Sequence, residues 1–143
     1  MKFSDFSNEK YRLNSFSVRI KYQPTVPNFL DSSLNLKKLW ENESPTSSFP
    51  TQTISLDLSK YDYIIIIFKI GSTSNEYVTN LLLKNYMTLT SCVYVDGGQT
   101  YSSVRYCTCK DTGIDITDAV SGKVTTTITV NNNTMIPLAI YGK

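Results

Sequence analysis

The sequence predicts an all-β protein, an antiparallel β-sandwich of eight to ten short strands, with a jelly-roll as one natural form of it. Three observations lead there. Val, Ile and Thr supply 38 of the 143 residues, and β-branched side chains suit pleated sheets better than helices. Alanine, the best helix former, occurs twice, at Ala119 and Ala139. Short segments of alternating polarity, bounded by turn residues, recur along the chain with no sustained helical period.

Residues 1–14 are polar and mixed, and read as an arm or a short helical turn. Phe16, Val18, Ile20 and Tyr22 alternate with Ser17, Arg19, Lys21 and Gln23, the period of a strand with one wet face; Pro24 and Pro27 end it. These features divide the chain into an N-terminal arm with one strand, 1–36, and a sandwich domain, 37–143. The segment Glu41-Asn42-Glu43-Ser44-Pro45-Thr46-Ser47-Ser48-Phe49-Pro50 reads as a loop. Gln52, Ile54, Leu56 and Leu58 then alternate with outward Thr53, Ser55 and Asp57. Tyr63 to Ile70 is apolar on both faces, which predicts a central strand covered on both sides, by a second sheet or a neighbouring subunit. Tyr77 to Leu83 is expected to be a strand, although Leu81-Leu82-Leu83 also fits a helical turn.

Asn85–Val95 and Thr100–Cys109 form the clearest pair. A hairpin turn centred on Gly97-Gly98 makes paired residue numbers sum to 195, placing Tyr94 opposite Tyr101, Leu89 opposite Tyr106 and Cys92 opposite Ser103. One face then gathers Met87, Leu89, Val93, Val95, Val104 and Tyr106 and is expected to be the core face. The other carries Thr88, Thr90, Cys92, Tyr94, Tyr101, Ser103, Arg105 and Cys107. Beyond the turn Asp111-Thr112-Gly113, Ile114 and Ile116 mark a short strand, and Val124, Thr126, Ile128 and Val130 another. Asn131-Asn132-Asn133 is a tight connection to a last strand, Met135 to Tyr141, in which Pro137 predicts an edge or a bulge.

Composition removes much chemistry. No histidine is present, so the commonest general base and metal ligand are missing. Lys and Arg number 14 against 12 acidic residues; this net charge of +2 is too balanced to point to nucleic acid or an anionic membrane as the partner. The longest apolar run, Tyr63 to Phe68, is far short of a membrane span. No apolar leader follows Met1-Lys2-Phe3-Ser4-Asp5, so no secretory signal is expected, and the sites at Asn42 and Asn132 that fit the glycosylation pattern carry no weight. Cys92, Cys107 and Cys109 are expected to be free thiols, too few for a zinc site. Asp57 with Asp62, and the cluster Asp111, Asp115 and Asp118, are the candidate acid–base groups; carboxylates at β-turns more often accept from backbone N–H groups. No phosphate-binding, metalloprotease or nucleophile-elbow motif appears, and Asp111-Thr112-Gly113-Ile114-Asp115 lacks the other ligands of a calcium loop. No catalytic residue, cofactor or metal ligand is therefore expected. Forty-five residues are Ser, Thr or Asn, the surface of a binding or structural module. Tyr94, Tyr101 and Arg105, projecting together from the non-core hairpin face, are the candidate binding surface: a sugar platform or a subunit interface, against the plainer reading of a solvated face.

Leu39-Trp40-Glu41-Asn42-Glu43-Ser44-Pro45-Thr46-Ser47-Ser48-Phe49 has a recognisable pattern. Together with Gln52 to Ser59 and Tyr61-Asp62-Tyr63-Ile64-Ile65-Ile66, it resembles a C-terminal domain of phage and prophage structural proteins of gut bacteria, of the tail-fibre, baseplate or receptor-binding kind. Val104-Arg105-Tyr106 and Ile136-Pro137-Leu138-Ala139-Ile140-Tyr141-Gly142-Lys143 resemble its later landmarks in order. The likeness covers 37–143. In that family the domain often ends a much longer protein, so this chain is expected to be either a small standalone virion protein or a fragment.

The resemblance implies a β-sandwich, a homotrimer and a place on the exterior of a phage particle made in a bacterial cytoplasm. It gives no catalytic residues. The expected function is non-enzymatic attachment of a fibre or baseplate tip to a host surface glycan or protein. The alternative is a head-decoration, head-fibre or plug protein that binds only other virion proteins. In that structural role residues 1–36 are the expected anchor to other virion proteins, with Phe16, Val18, Ile20 and Tyr22 augmenting a neighbour's sheet.

Overall fold

The computed structural model describes residues 35–71, 75–96, 98–124 and 128–143. The expected anchor strand at Phe16, Val18, Ile20 and Tyr22 lies outside the described residues. Ten strands follow in order: β1 Lys37–Glu41, β2 Gln52–Ser55, β3 Ile64–Gly71, β4 Tyr77–Leu82, β5 Met87–Asp96, β6 Gln99–Lys110, β7 Gly113–Ile116, β8 Val120–Lys123, β9 Thr129–Val130 and β10 Thr134–Gly142. They form two antiparallel sheets and, as expected, a β-sandwich. One sheet has the order β1-β10-β3-β4; the other runs β2-β7-β6-β8-β9, with β5 paired to β6.

The run Ile64 to Ile70 builds β3, flanked by β10 and β4. Ile64, Ile66 and Phe68 face the main core between the sheets, whereas Ile67 joins Leu36, Ala139 and Tyr141 in a second cluster on the far face. A strand apolar on both sides is thus buried on both sides. In β10 the register slips between Pro137 and Ala139. Pro137 therefore marks a bulge inside a central strand rather than an edge. The bulge leaves carbonyls without ladder partners, and Asn42 meets them: its backbone N–H donates to Leu138 O at 2.9 Å and its Nδ2 to Pro137 O at 2.8 Å.

The β5–β6 hairpin has the expected register over its whole length, from Asp96 opposite Gln99 to Met87 opposite Thr108. Gly98, at a φ of 74°, supplies the left-handed residue that the turn needs. Its faces are the reverse of expectation. Thr90, Ser103, Arg105, Cys107 and Cys109 are buried, while Met87, Leu89, Val93, Val95 and Tyr106 are exposed. Volume explains the inversion. The opposing sheet and its β10 entry thrust Ile64, Ile66, Phe68, Leu82, Met135, Ile136 and Ile140 into the gap. Sheets packed about 10 Å apart leave room for small side chains opposite such large ones. Thr90, Ser103, Cys107 and Cys109 fill that role, and Arg105 is the large exception, reaching Phe49 O.

The strand expected across Val124 to Val130 is, in its described part, β9 alone, while Val124 follows the unanticipated β8. Four-residue β8 pairs with both β6 and β9, burying Ser121 against Ser103. β7 returns from β6 through Gly113, whose φ of 148° and close approach to the Ile54 carbonyl oxygen leave no room for a side chain.

Candidate functional site

Arg105 and the two tyrosines do not form one binding surface, which corrects the sequence expectation. Arg105 is fully buried on the inner face of β6. Its Nη2 donates to Phe49 O at 2.8 Å and to Asn132 Oδ1 at 3.2 Å, and its guanidinium lies 5.6 Å from the Phe49 ring centre. Among the described residues Nε and Nη1 meet no hydrogen-bonding partner. Burial lowers the Arg105 pKa to about 10, while neighbouring Cys107 and Asp118 act the other way. Tyr94 and Tyr101 lie opposite each other near the hairpin tip, half-buried and stacked with ring centres 5.4 Å apart. Four residues of strand, about 13 Å, separate Tyr101 from Arg105.

Asn132, in the turn before β10, organises what surrounds Arg105. Its Oδ1 also accepts from Ala119 N at 2.8 Å, and its Nδ2 donates to Asp118 Oδ1 at 2.8 Å. Asp118 in turn accepts from Thr51 N at 2.9 Å. Arg105, Asn132 and Asp118 thus form a relay that ties the 42–51 loop, the β7–β8 link and the β9–β10 turn together. The triple-asparagine segment signalled a turn, but nothing in its spacing announced this partner for a buried cation.

Asp57, Asp111 and Asp115 each hold a structural partner, and Asp62 bonds through its backbone N–H to Lys143 O at 2.7 Å. Asp57 Oδ1 accepts from Ser59 N and Oγ, at 3.2 and 2.6 Å. Asp115 holds the Thr53 hydroxyl at 2.7 Å and pairs with Lys110, while Asp111 pairs with Lys84 at 3.1 Å. All three cysteines are free. Burial pushes the Cys92 thiol up to about 11 and the Cys107 thiol up to about 12. No group of three or more potential metal ligands is gathered among the described residues. A solvent-open hollow of about 400 Å³ lies beside Trp40, lined also by Glu43, Ser47, Phe49 and Gln52; the Trp40 ring meets Phe49 edge to face at 6.3 Å.

The most extensive feature is the outer face of the six-stranded sheet. Met87, Leu89, Val93, Val95 and Tyr106 are 66, 50, 69, 71 and 39% exposed, and Val130 is 63% exposed. The pairings Ser91–Val104, Val104–Val120 and Val120–Val130 put these strands' outward residues in one row, with Val104 and Val120 half-buried at its centre. No outward side chain from Leu89 to Val130 across this row is charged. The nearest outward pair along β6, Lys110 and Asp115, neutralise each other. Edge strand β5 has one strand neighbour, β6, among the described residues. From β4, Asn80 Nδ2 reaches Thr90 Oγ1 at 2.7 Å and Leu89 O at 3.3 Å. The sequence contained these apolar positions but placed them in the core. The signal that sends them outward is the excess of Ile and Phe on the facing sheet.

Comparison with protein-family models, with curated proteins and with solved structures returns no match for the chain.

Proposed function

We propose that the chain is a non-enzymatic structural component of a phage virion, a β-sandwich of the fibre or baseplate kind whose working chemistry is association with protein, including copies of itself in a homotrimer. The observation that carries this reading is the broad apolar face of the six-stranded sheet, uncharged from Leu89 to Val130. Such faces mark sites of protein contact, and the phage context comes from the Leu39–Phe49 pattern and the blocks that follow it. With Arg105 inside the core, support shifts from host attachment towards the reading in which the partners are other virion proteins. Mass spectrometry and immunogold labelling of purified particles test it. The protein is expected at constant copy number on the particle exterior; its absence from washed particles refutes the role.

Attachment to a host glycan is the second reading. It is favoured by the hollow beside Trp40, which combines an aromatic ring with the carboxylate of Glu43 and the amide of Gln52. Glycan-array binding that is lost in Trp40→Ala, with folding intact, is the expected result for that reading. Its failure leaves the structural role standing.

A further inference from the structure

We infer that the outer face of the six-stranded sheet is where one copy of this chain packs against another, with Leu89, Val93, Val95 and Tyr106 at the centre of the contact. The inference deepens the assembly reading above and rests on it for the kind of partner, but it names a surface that the reading alone does not.

Three observations select a second copy as the occupant. The first is area. The large apolar residues exposed on this face, from Met87 to Val130, together expose on the order of 600 Å², at the top of the roughly 300–600 Å² of an ordinary monomer's largest apolar patch and approaching the roughly 800 Å² that each partner brings to a stable interface. The second is charge. A surface meeting its own copy meets its own charges, and like charges in apposition are costly. Here the row from Leu89 to Val130 has none, and the Lys110–Asp115 pair, at the far end of β6 and on β7, is self-neutralised. An acidic or basic partner would find nothing to complement. The third is shape. Val93, Val95, Val104, Val120 and Val130 are short and β-branched, so they form a flat pleated surface of the kind that stacks on another sheet. Interfaces between like chains are also the more apolar class.

The contact can be tested on the full chain by light scattering coupled to size exclusion and by hydrogen–deuterium exchange at two protein concentrations. The wild type is expected to be oligomeric at micromolar concentration, with Met87–Asp96 amides gaining protection as concentration rises. Val93→Glu places a charge within the exposed apolar part of the face, on β5, and is expected to weaken association at least tenfold. Because Val93 is mostly exposed, its thermal unfolding in the dissociated form should still be cooperative. The exchange measurement needs no variant, so a misfolded Val93→Glu leaves the inference exposed to refutation.

A monomeric wild type overturns it. So does an oligomer whose β5 protection is independent of concentration, because another part of the same chain would then cover the face. An oligomer undisturbed by Val93→Glu also overturns it and places the contact elsewhere. That last result leaves the virion role intact, whereas absence from particles removes the virion role and leaves the self-contact intact.

Discussion

At Arg105 a full positive charge sits among apolar side chains, with a neutral amide, Asn132, standing between it and the nearest carboxylate, Asp118. Removing the amide strips a partner from Arg105, from Ala119 N and from Asp118 together. Asn132→Ala is therefore expected to cost about 2–3 kcal/mol by chemical denaturation, the upper part of the roughly 1–3 kcal/mol range for orphaning buried polar groups. Arg105→Met removes the charge along with its needs, and should cost clearly less. An equal or larger loss in Arg105→Met would mean that the cation itself, not its satisfaction, stabilises the fold. Three surface carboxyls behave in the opposite sense. Asp57 is held below the ordinary range by the Ser59 hydroxyl and N–H, Asp115 by Lys110 and then Thr53, and Asp118 by Thr51 N–H and then Asn132. Each binds its proton more weakly folded than unfolded. Their contribution is therefore full above the unfolded carboxylate pKa, about 4, and is lost as pH falls through the lower folded values. With no histidine in the chain, Tm is expected to be nearly constant from pH 8 to 5 and to fall below pH about 4. A steep fall between pH 7 and 5 would point to a titrating group other than these.

Gly113 at the β6–β7 turn and Asn42 at the β10 bulge each determine the course of a strand. A side chain at Gly113 would meet the Ile54 backbone and take up an unfavourable φ, so Gly113→Ala is expected to destabilise by about 3 kcal/mol or more. Asn42→Ala removes one of the two bonds that close the bulge and should cost about 1–2 kcal/mol; both values follow from urea midpoints. The hairpin shows how far local pattern reaches. Its register is legible because the turn residues set it and Tyr94 confirms it by stacking on Tyr101. Its facing is not, because period two says only that two faces differ. Which one turns inward depends on β3 and β10, remote in sequence, whose Ile and Phe side chains fill the gap opposite the small Thr90, Ser103 and Cys107, with Arg105 the large buried exception. For the same reason Arg105 read as an outward contact residue: its neighbours Ser103 and Cys107 look polar or neutral until the opposing sheet is in place. Short β8 was missed because Val120-Ser121-Gly122-Lys123 offers a single large apolar residue and depends on β6 and β9 for its pairing.

Among the described residues, the four-stranded sheet has buried side chains on both faces, whereas the six-stranded sheet is exposed on its outside. That asymmetry was invisible in composition, which counts apolar residues without saying where they gather. It also separates stability from association: substitutions at Val93 or Val95 should leave monomer unfolding within about 0.5 kcal/mol of wild type, as exposed sites generally do, while Asn132 and Gly113 act on stability. The inward turn of the hairpin has a further effect on the thiols. With pKa values near 11 and 12, Cys92 and Cys107 carry the reactive thiolate in fewer than about one molecule per thousand at neutral pH, and Cys109, fully buried, is shifted the same way. Alkylation by iodoacetamide should be slow in the folded protein and abrupt on unfolding. The native chain is therefore a nearly silent background for thiol labelling, on which a single cysteine introduced at an exposed site would report proximity between neighbouring copies without the natural three being removed.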